Sequence, residues 1–182
     1  MRTSAVQSRE SGHPEAQLLP IVISTENVKV GLAGAGEGRL RREALLVEAG
    51  VATVSVEHES PLGDIRILFI AGLDSRNSAA LARKARNSGI LVNVEDDPEL
   101  CDFHVPAIVR RGDLVLTAST GGRAPGLARR LREWLEQRFG PEWNARLDEL
   151  GRTRASWRAE GLPSREISER SRDLIAAKGW LQ

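Results

Sequence analysis

Cysteine is almost absent from this chain of 182 residues, in which Cys101 is the single example. One cysteine excludes an internal disulfide framework and a zinc ribbon of the CxxC type. Long hydrophobic runs are lacking too, since no stretch approaches the roughly 18 apolar residues of a membrane-spanning helix. The first 16 residues contain no apolar segment typical of a signal peptide. We therefore expect a cytoplasmic protein with no membrane partner.

A large net charge is also lacking. Lysine plus arginine number 26 and aspartate plus glutamate 25, a balance that argues against a strongly basic nucleic-acid-binding protein. The charges are uneven, because residues 121–182 hold 13 basic and 9 acidic side chains, and nearly all of the basic ones are arginine. This part is either a solvated helical surface or a face for an acidic partner or substrate, since arginine pairs well with carboxylates.

Apolar and helical patterns over residues 28–94 follow the order strand, helix, strand, strand, helix, strand. This order predicts an α/β fold with a Rossmann-like parallel sheet, in which the crossover between the second and third strands lacks its helix. Two extended runs and three helices are predicted to follow. The predicted parts are a flexible tail at 1–16, a Rossmann-like domain at 17–103, a small α+β region at 104–140 and a helical domain at 141–182.

The predicted strands cover 28–33, 51–56, 65–71, 90–94, 104–109 and 113–119, and the predicted helices cover 39–50, 75–88, 125–139, 141–157 and 164–178.

The segment GAGEG at 34–38 lies directly after a predicted buried strand and before a predicted helix. Glycines in such a turn let the backbone approach a pyrophosphate, and the helix N-terminus supplies free N–H groups. Glu57 ends the second strand 21 residues after Gly36, where a ribose-binding carboxylate is often found. The pattern predicts nucleotide binding. The alternative is a tight strand-to-helix turn without a ligand.

Two acidic residues follow the fourth strand. Asp96 and Asp97 would lie at the carboxyl edge of the sheet, where ligands of α/β proteins bind. Adjacent carboxylates can perturb each other, so that one becomes a general base, but Asp-Asp-Pro is equally suited to a turn. Cys101, Asp102 and His104 could also be read as metal ligands. We expect instead a small buried Cys101 and a His104 side chain on a strand.

A third segment, STGGRAP at 119–125, opens a predicted helix. Its hydroxyl groups, two glycines and Arg123 suit a cradle for a carboxylate or a phosphate. An ordinary helix cap, with Thr120 or a neighbour as the capping residue, explains the same residues equally well.

Together these segments resemble the family of precorrin-2 dehydrogenases, which occurs as a stand-alone dehydrogenase/ferrochelatase and as the N-terminal module of siroheme synthase. The resemblance begins at Leu19-Pro20, passes through the GAG turn to LLVEAG at 45–50, and continues in FIAGLD at 69–74 and NVEDDPELCDF at 93–103. Its most specific part is PAIVRRGDLVLTASTGGRAPGLARRLRE at 106–133.

The resemblance implies an oxidoreductase that converts precorrin-2 to sirohydrochlorin with NAD⁺, in siroheme and thus porphyrin (tetrapyrrole) biosynthesis. Some family members also act as lyases, inserting ferrous iron as sirohydrochlorin ferrochelatase. The resemblance further implies that residues 17–103 bind NAD and that 104–140 is the dimerisation region of a homodimer. No nucleic-acid partner is expected.

The resemblance gives Asp96 the catalytic role, because the matching family aspartate matters both to oxidation and to metal insertion. Thr120 stands where a family serine lines the site. The expected cofactor-binding residues are Gly34, Ala35, Gly36, Glu37, Gly38, Glu57 and Asp74. The expected substrate-binding residues are His104, Thr120, Gly121, Gly122 and Arg123. No resident metal is expected.

The chain departs from the family pattern in three places. Arg39 replaces a small residue near the expected pyrophosphate, and Leu73-Asp74-Ser75 replaces Thr-Asp-Asp. About eight residues join Val56 to Ile65, too few for the roughly 10–12 of a crossover with a helix. Two alternatives therefore stay open: a chelatase or tetrapyrrole-binding member that has lost NAD oxidation, and a non-catalytic nucleotide-binding module.

Overall fold

The computed structural model describes residues 18–57 and 59–181. The tail predicted at 1–16 lies outside the described residues. Contacts divide the chain into two compact units, with the division between Phe103 and His104. The finer domain boundaries stay predictions.

The first unit is built on a parallel sheet of four strands with one helix on each face. Its elements are β1 (Val30–Gly34), α1 (Gly36–Glu48), β2 (Thr53–Val56), β3 (Ile67–Ala71), α2 (Ser75–Asn87) and β4 (Leu91–Val94). The strand order is β2-β1-β3-β4, so the chain moves outward from β1 to β2 and then returns across β1 to β3. The predicted Rossmann-like α/β class is confirmed, and the topological switch point lies between β1 and β3.

The described residues between β2 and β3, 57 and 59–66, contain no helix, as the spacing predicts. Leu62 and Ile65 from this connection are buried and cover part of the sheet face that a crossover helix would otherwise cover. The fit is close, since a Cβ on Gly31 would lie 2.7 Å from Cδ1 of Ile65. Val54, in register with Gly31, stays half-exposed. The short connection therefore closes the core but leaves the outer strand thinly covered.

Both helices of the first unit end at a glycine. Gly50 has a φ of +72°, its N–H donates to the Val47 carbonyl at 2.9 Å, and the next N–H, of Val51, donates to the Leu46 carbonyl at 2.9 Å. These two bonds form a Schellman motif, which satisfies the last helical carbonyls and favours glycine at its left-handed position. Gly89 ends α2 in the same way.

The core lies mainly between the sheet and α2. Leu68 and Val92 from the strands and Leu81 from α2 are each no more than 1% exposed. On the opposite face, Phe69 meets Phe103 edge-on, with ring centroids 5.4 Å apart. Strands buried on both faces are typical of parallel sheets and explain the continuous apolar runs in the sequence.

The second unit is a hairpin with three helices. Its elements are β5 (Ala107–Arg111), β6 (Leu114–Ala118), α3 (Pro125–Arg138), α4 (Glu142–Ala159) and α5 (Ser164–Ala177). Strands β5 and β6 are antiparallel and turn at Gly112, whose φ is +59°. Arg111 donates to the carbonyls of Phe139 at 2.7 Å and Glu136 at 3.3 Å, which caps the end of α3. Predicted and observed element ends differ by at most three residues in both units.

Polar and aromatic contacts join α4 and the residues around it. Arg154 donates to the Ser171 hydroxyl at 2.7 Å, linking α4 to α5. The guanidinium of Arg146 lies 5.0 Å from the ring centroid of Trp143 and 5.9 Å from that of Trp180. Such cation–π contacts hold an arginine against aromatic surface, and Nη1 of Arg146 also lies 3.8 Å from Oε1 of Glu142. No helix in the described part of the chain is long and apolar enough to cross a membrane.

Candidate functional site

Two backbone turns touch at the carboxyl edge of the parallel sheet. The N–H of Ala35, after β1, donates to the carbonyl of Ala71, at the end of β3, at 3.2 Å. A Cβ on Gly34 would overlap that same carbonyl oxygen, and a Cβ on Gly72 would overlap the carbonyl oxygen of Ala35. Both positions therefore need glycine because the two loops lie backbone to backbone.

Helix α1 begins in this turn with an uncapped N-terminus. Ala35 is its N-cap residue, and this residue makes no side-chain capping hydrogen bond. Gly36 has a φ of +64°, and a Cβ there would meet no atom within 4 Å. Glu37 is exposed and faces Arg41 at 3.8 Å. Open space in front of an uncapped helix N-terminus has room for an anionic group such as a pyrophosphate, and cofactor binding by the GAGEG turn stays a prediction.

A cavity of about 520 Å³ opens beside this turn. It is bounded by the carboxyl ends of β1 and β2, by the first residues of the β2–β3 connection and by the loop after β3. Its lining residues are Ala33, Gly34, Arg39, Ser55, Val56, Glu57, Glu59 and Leu73. The structure thus brings together two predicted cofactor residues, Gly34 and Glu57, on one cavity wall.

Arg39 lines the cavity as well, and its side chain turns toward the sheet. Its Nη1 donates to the carbonyl oxygen of Leu32 in β1 at 2.9 Å. The side chain is half-buried, and no carboxylate pairs with it among the residues that the structure describes. A hydrogen bond to the strand therefore accommodates the arginine at this position.

Contacts of Glu95 link the start of α1 to the end of β4. A Cβ on Gly38 would overlap Oε2 of Glu95, and Oε1 of Glu95 lies 3.5 Å from Arg41. Burial lowers the pKa of Arg42, and the negative charges of Glu95 and Asp96 oppose that shift. The residues that follow β4 therefore lie close to the glycine turn, on the same edge of the sheet.

Asp96 is exposed in the turn after β4. Its φ is +59°, and it is the one non-glycine residue with a positive φ in the described ranges. Aspartate tolerates this left-handed conformation better than most residues, because its short polar side chain can bond locally. Asp97 is half-buried, and its carbonyl accepts the N–H of Leu100 at 3.2 Å. Asp97 thus shapes the turn, whereas Asp96 projects from it.

Residues 101–103 fold back along β4. Sγ of Cys101 lies 3.2 Å from both the N and the O of Val94. The carboxylate of Asp102 accepts hydrogen bonds from the Val92 N–H at 2.9 Å and from Nε of Arg86 at 2.8 Å. Burial raises the pKa of the Cys101 thiol. The side chains of Cys101 and Asp102 therefore bond to β4 and to Arg86, which gives both residues a structural role. No cluster of three or more metal-ligating side chains occurs within 18–57 and 59–181.

Asp74 is the N-cap of α2. Its carboxylate accepts the Asn77 N–H at 2.9 Å and the Asn77 side-chain amide at 2.6 Å. These bonds, led by the one from the backbone, hold the pKa of Asp74 below its ordinary value. Asp74 follows the cavity-lining residue Leu73 but does not itself line the cavity. The structure gives it a capping role, and cofactor binding by Asp74 stays a prediction.

In the second unit, residues 119–124 form the turn before α3. Oγ1 of Thr120 accepts the Ala124 N–H at 3.2 Å, so this hydroxyl stabilises the turn. Gly121 and Gly122 have positive φ values of +61° and +77°. The Arg123 side chain is exposed and forms no ion pair with another described residue. The prediction that His104 lies on a strand is wrong, because β5 begins only at Ala107; His104 is half-buried and precedes the strand.

Sequence reasoning missed three contributors to this site. Glu59 lines the cavity because the β2–β3 connection is short, and that spacing was visible in the sequence. Glu95 contacts the start of α1 through tertiary packing that no local pattern reveals. Arg39 departs from the expected pattern, but no sequence signal indicates its bond to β1.

Comparisons with known proteins identify similar sequences and a similar fold. Residues 55–107 match a family model described as "Putative NAD(P)-binding". The chain is 37% identical over 149 residues to siroheme synthase of Methylococcus capsulatus, an alignment that covers 67% of this chain and 31% of that protein. It is 34% identical over 141 residues to siroheme synthase 3 of Aeromonas hydrophila, with coverages of 65% and 30%.

Among solved structures, SirC, precorrin-2 dehydrogenase, matches with a TM-score of 0.70. The match covers 91% of this chain and 93% of that chain at 18% sequence identity, so it establishes the shared fold. The chain spans less than a third of the length of the curated relatives it matches.

Proposed function

Since the chain belongs to the precorrin-2 dehydrogenase family, we propose that it oxidises precorrin-2 to sirohydrochlorin with NAD⁺ as the oxidant. The observation that carries this proposal is the cavity at the carboxyl edge of the sheet, which opens beside the uncapped start of α1. Dinucleotides bind at this place in Rossmann-like folds, where the strand order reverses. The loops approach so closely at Gly34 and Gly72 that neither position can carry a side chain.

The chain's residues suit dinucleotide binding in an identifiable way. The backbone around Gly36 and the first N–H groups of α1 would hold the pyrophosphate. Glu57, at the end of β2, would accept hydrogen bonds from the adenosine ribose. Bound NAD⁺ supplies the capacity to accept a hydride from the substrate.

Asp96 would remove the proton that the substrate releases when it gives up hydride. It lies after β4 on the same sheet edge as the glycine turn, and its exposed carboxylate is not used in the local turn. A general base must reach the proton that it abstracts directly or through one water, and the projection of Asp96 from the turn supports that role. Its neighbour Glu95 faces Arg41 at 3.5 Å.

The second unit would bind the carboxylate groups of the tetrapyrrole. Arg123 follows two glycines in the turn before α3, and its exposed guanidinium suits a substrate carboxylate. Thr120 holds this turn in shape through its bond to Ala124. Gly121, Gly122 and His104 complete the predicted substrate-binding set. For chelatase activity, ferrous iron would be a further substrate.

Self-association through α3 is part of the same proposal. Leu127, Leu131 and Trp134 lie on one helical face and are 54%, 39% and 58% exposed. Within the described second unit, Val109 and Ile167 are the only buried hydrophobic residues. A unit with so little buried apolar surface gains stability when a second copy covers an exposed apolar stripe.

Calorimetric titration with NAD⁺, followed by precorrin-2 oxidation monitored by absorbance, tests the proposed function. Gly36→Ala should weaken NAD⁺ binding, because its methyl group would enter the space in front of the helix. Gly50→Ala is the matched control, since Gly50 has a similar φ of +72° and open surroundings at the other end of α1. Wild-type protein that binds no NAD⁺ at millimolar concentration would refute the dehydrogenase and favour a chelatase or a tetrapyrrole-binding protein.

A further inference from the structure

Two acidic side chains face the cavity from the start of the β2–β3 connection. Glu57 and Glu59 both line it, and both are exposed. Neither carboxylate has a hydrogen-bond or ion-pair partner among the described residues. They are therefore available to a ligand.

The connection that carries these residues is anchored after Glu59. The Ser60 carbonyl accepts Nζ of Lys84 at 2.9 Å, and the Ser60 N–H donates to the Glu57 carbonyl at 3.1 Å. Leu62 and Ile65 are buried in the core. These contacts hold Glu59 at the cavity, because the anchoring residues follow it within six positions.

Arg39 lies in the same cavity as these two acidic residues. Its Nη1 is bound to the Leu32 carbonyl, a contact that keeps the guanidinium at the edge of β1. An arginine near the end of the second strand is the usual partner of the 2′-phosphate of NADP, whereas an acidic residue there accepts the 2′-hydroxyl of NAD. The cavity thus contains acidic residues typical of NAD binding and an arginine typical of NADP binding.

We propose that Glu57 and Glu59 together select NAD⁺ over NADP⁺, and that their negative charge prevents Arg39 from recruiting a 2′-phosphate. This inference rests on the proposed function, because it requires that a dinucleotide occupy the cavity. The two negative charges that line the cavity repel a phosphate, whereas the unphosphorylated ribose donates hydrogen bonds to the same carboxylates. Glu59, which the short connection supplies, adds a second repelling charge to that of Glu57.

Affinities for NAD⁺ and NADP⁺ measured by calorimetry test this proposal in wild type, Glu57→Gln, Glu59→Gln and the double variant. Each single substitution should tighten NADP⁺ binding by about tenfold, and the double variant should gain more than either. Adding Arg39→Met to the double variant should reverse most of the gain in NADP⁺ affinity. Glu48→Gln, on an exposed part of α1 with no partner in the described ranges, is the matched control and should change neither affinity.

The outcomes separate the two proposals. The inference is overturned when wild type binds NAD⁺ but Glu59→Gln and the double variant keep the wild-type ratio of NAD⁺ to NADP⁺ affinity. The proposed function would stand in that case. A gain in NADP⁺ affinity that survives Arg39→Met would overturn the part assigned to Arg39. Failure of wild type and all variants to bind either dinucleotide would overturn both proposals.

Discussion

Asp96 offers a test in which rate and stability should respond to different substitutions. Its backbone has a φ of +59°, a conformation that asparagine and glycine adopt more readily than alanine. Asp96→Asn removes the charge and keeps both the shape and the backbone preference. Asp96→Ala removes the charge and adds a conformational cost of about 1 kcal/mol. Asp96→Gly removes the side chain without that cost.

The magnitudes follow from the size of the first unit and from the proposed role. For a domain of this size, 1 kcal/mol corresponds to about 4–8 °C in melting temperature. We expect Asp96→Ala to melt several degrees below Asp96→Asn, which should melt close to wild type. All three variants should oxidise precorrin-2 about 10²–10⁴-fold more slowly, the usual contribution of a general base.

Thermal unfolding and turnover measured on the same preparations separate these effects. Asp97→Asn is the matched control, because Asp97 shapes the turn through its carbonyl and should lose little activity. Near-wild-type oxidation by Asp96→Asn would remove Asp96 from the mechanism. Equal melting temperatures for Asp96→Ala and Asp96→Asn would show that the backbone at this position is not left-handed.

Three further predictions concern other parts of the chain. Leu131→Asp, on the exposed stripe of α3, should convert a homodimer into a monomer in light scattering at micromolar concentration; a monomeric wild type would contradict self-association. Asp74→Ala should lower the melting temperature at pH 7. Because hydrogen bonds lower the pKa of Asp74, that deficit should shrink as the pH falls through about 4 and below, and a constant deficit would refute this account. Burial raises the pKa of Cys101, so the neutral thiol stabilises the fold below about pH 8.5. This contribution to stability is lost as the pH rises through the pKa of the thiol in the folded protein. A chromogenic disulfide should label Cys101 slowly at pH 8 in the native protein and quickly in urea, and equal rates would contradict its burial.

The order of elements and the missing crossover helix were predictable because both are local properties of the sequence. The apolar run before Gly34 and the helical spacing after Gly38 each specify one element, and counting residues between Val56 and Ile65 excludes a helix. The glycine turn and Glu57 were predictable for the same reason, since a Rossmann fingerprint has a known spacing.

The rest of the site depends on contacts between segments distant in sequence. Glu95 packs against Gly38 across more than fifty positions, and Arg39 bonds to a carbonyl that a strand presents after folding. Nor does the pair Asp96-Asp97 reveal which residue takes the left-handed conformation. Packing around the turn decides that Asp96 projects and Asp97 is half-buried.

The return of residues 101–103 along β4 has a consequence for aggregation. It occupies backbone groups of Val92 and Val94 that a foreign strand would need, so β4 is a poor template for edge-to-edge pairing. At the opposite edge, β2 pairs only with β1 in the described part of the chain, and Val54 is half-exposed. Aggregation by strand addition should therefore begin at β2, next to Glu57. A dinucleotide bound in the adjoining cavity would obstruct that edge and delay aggregation.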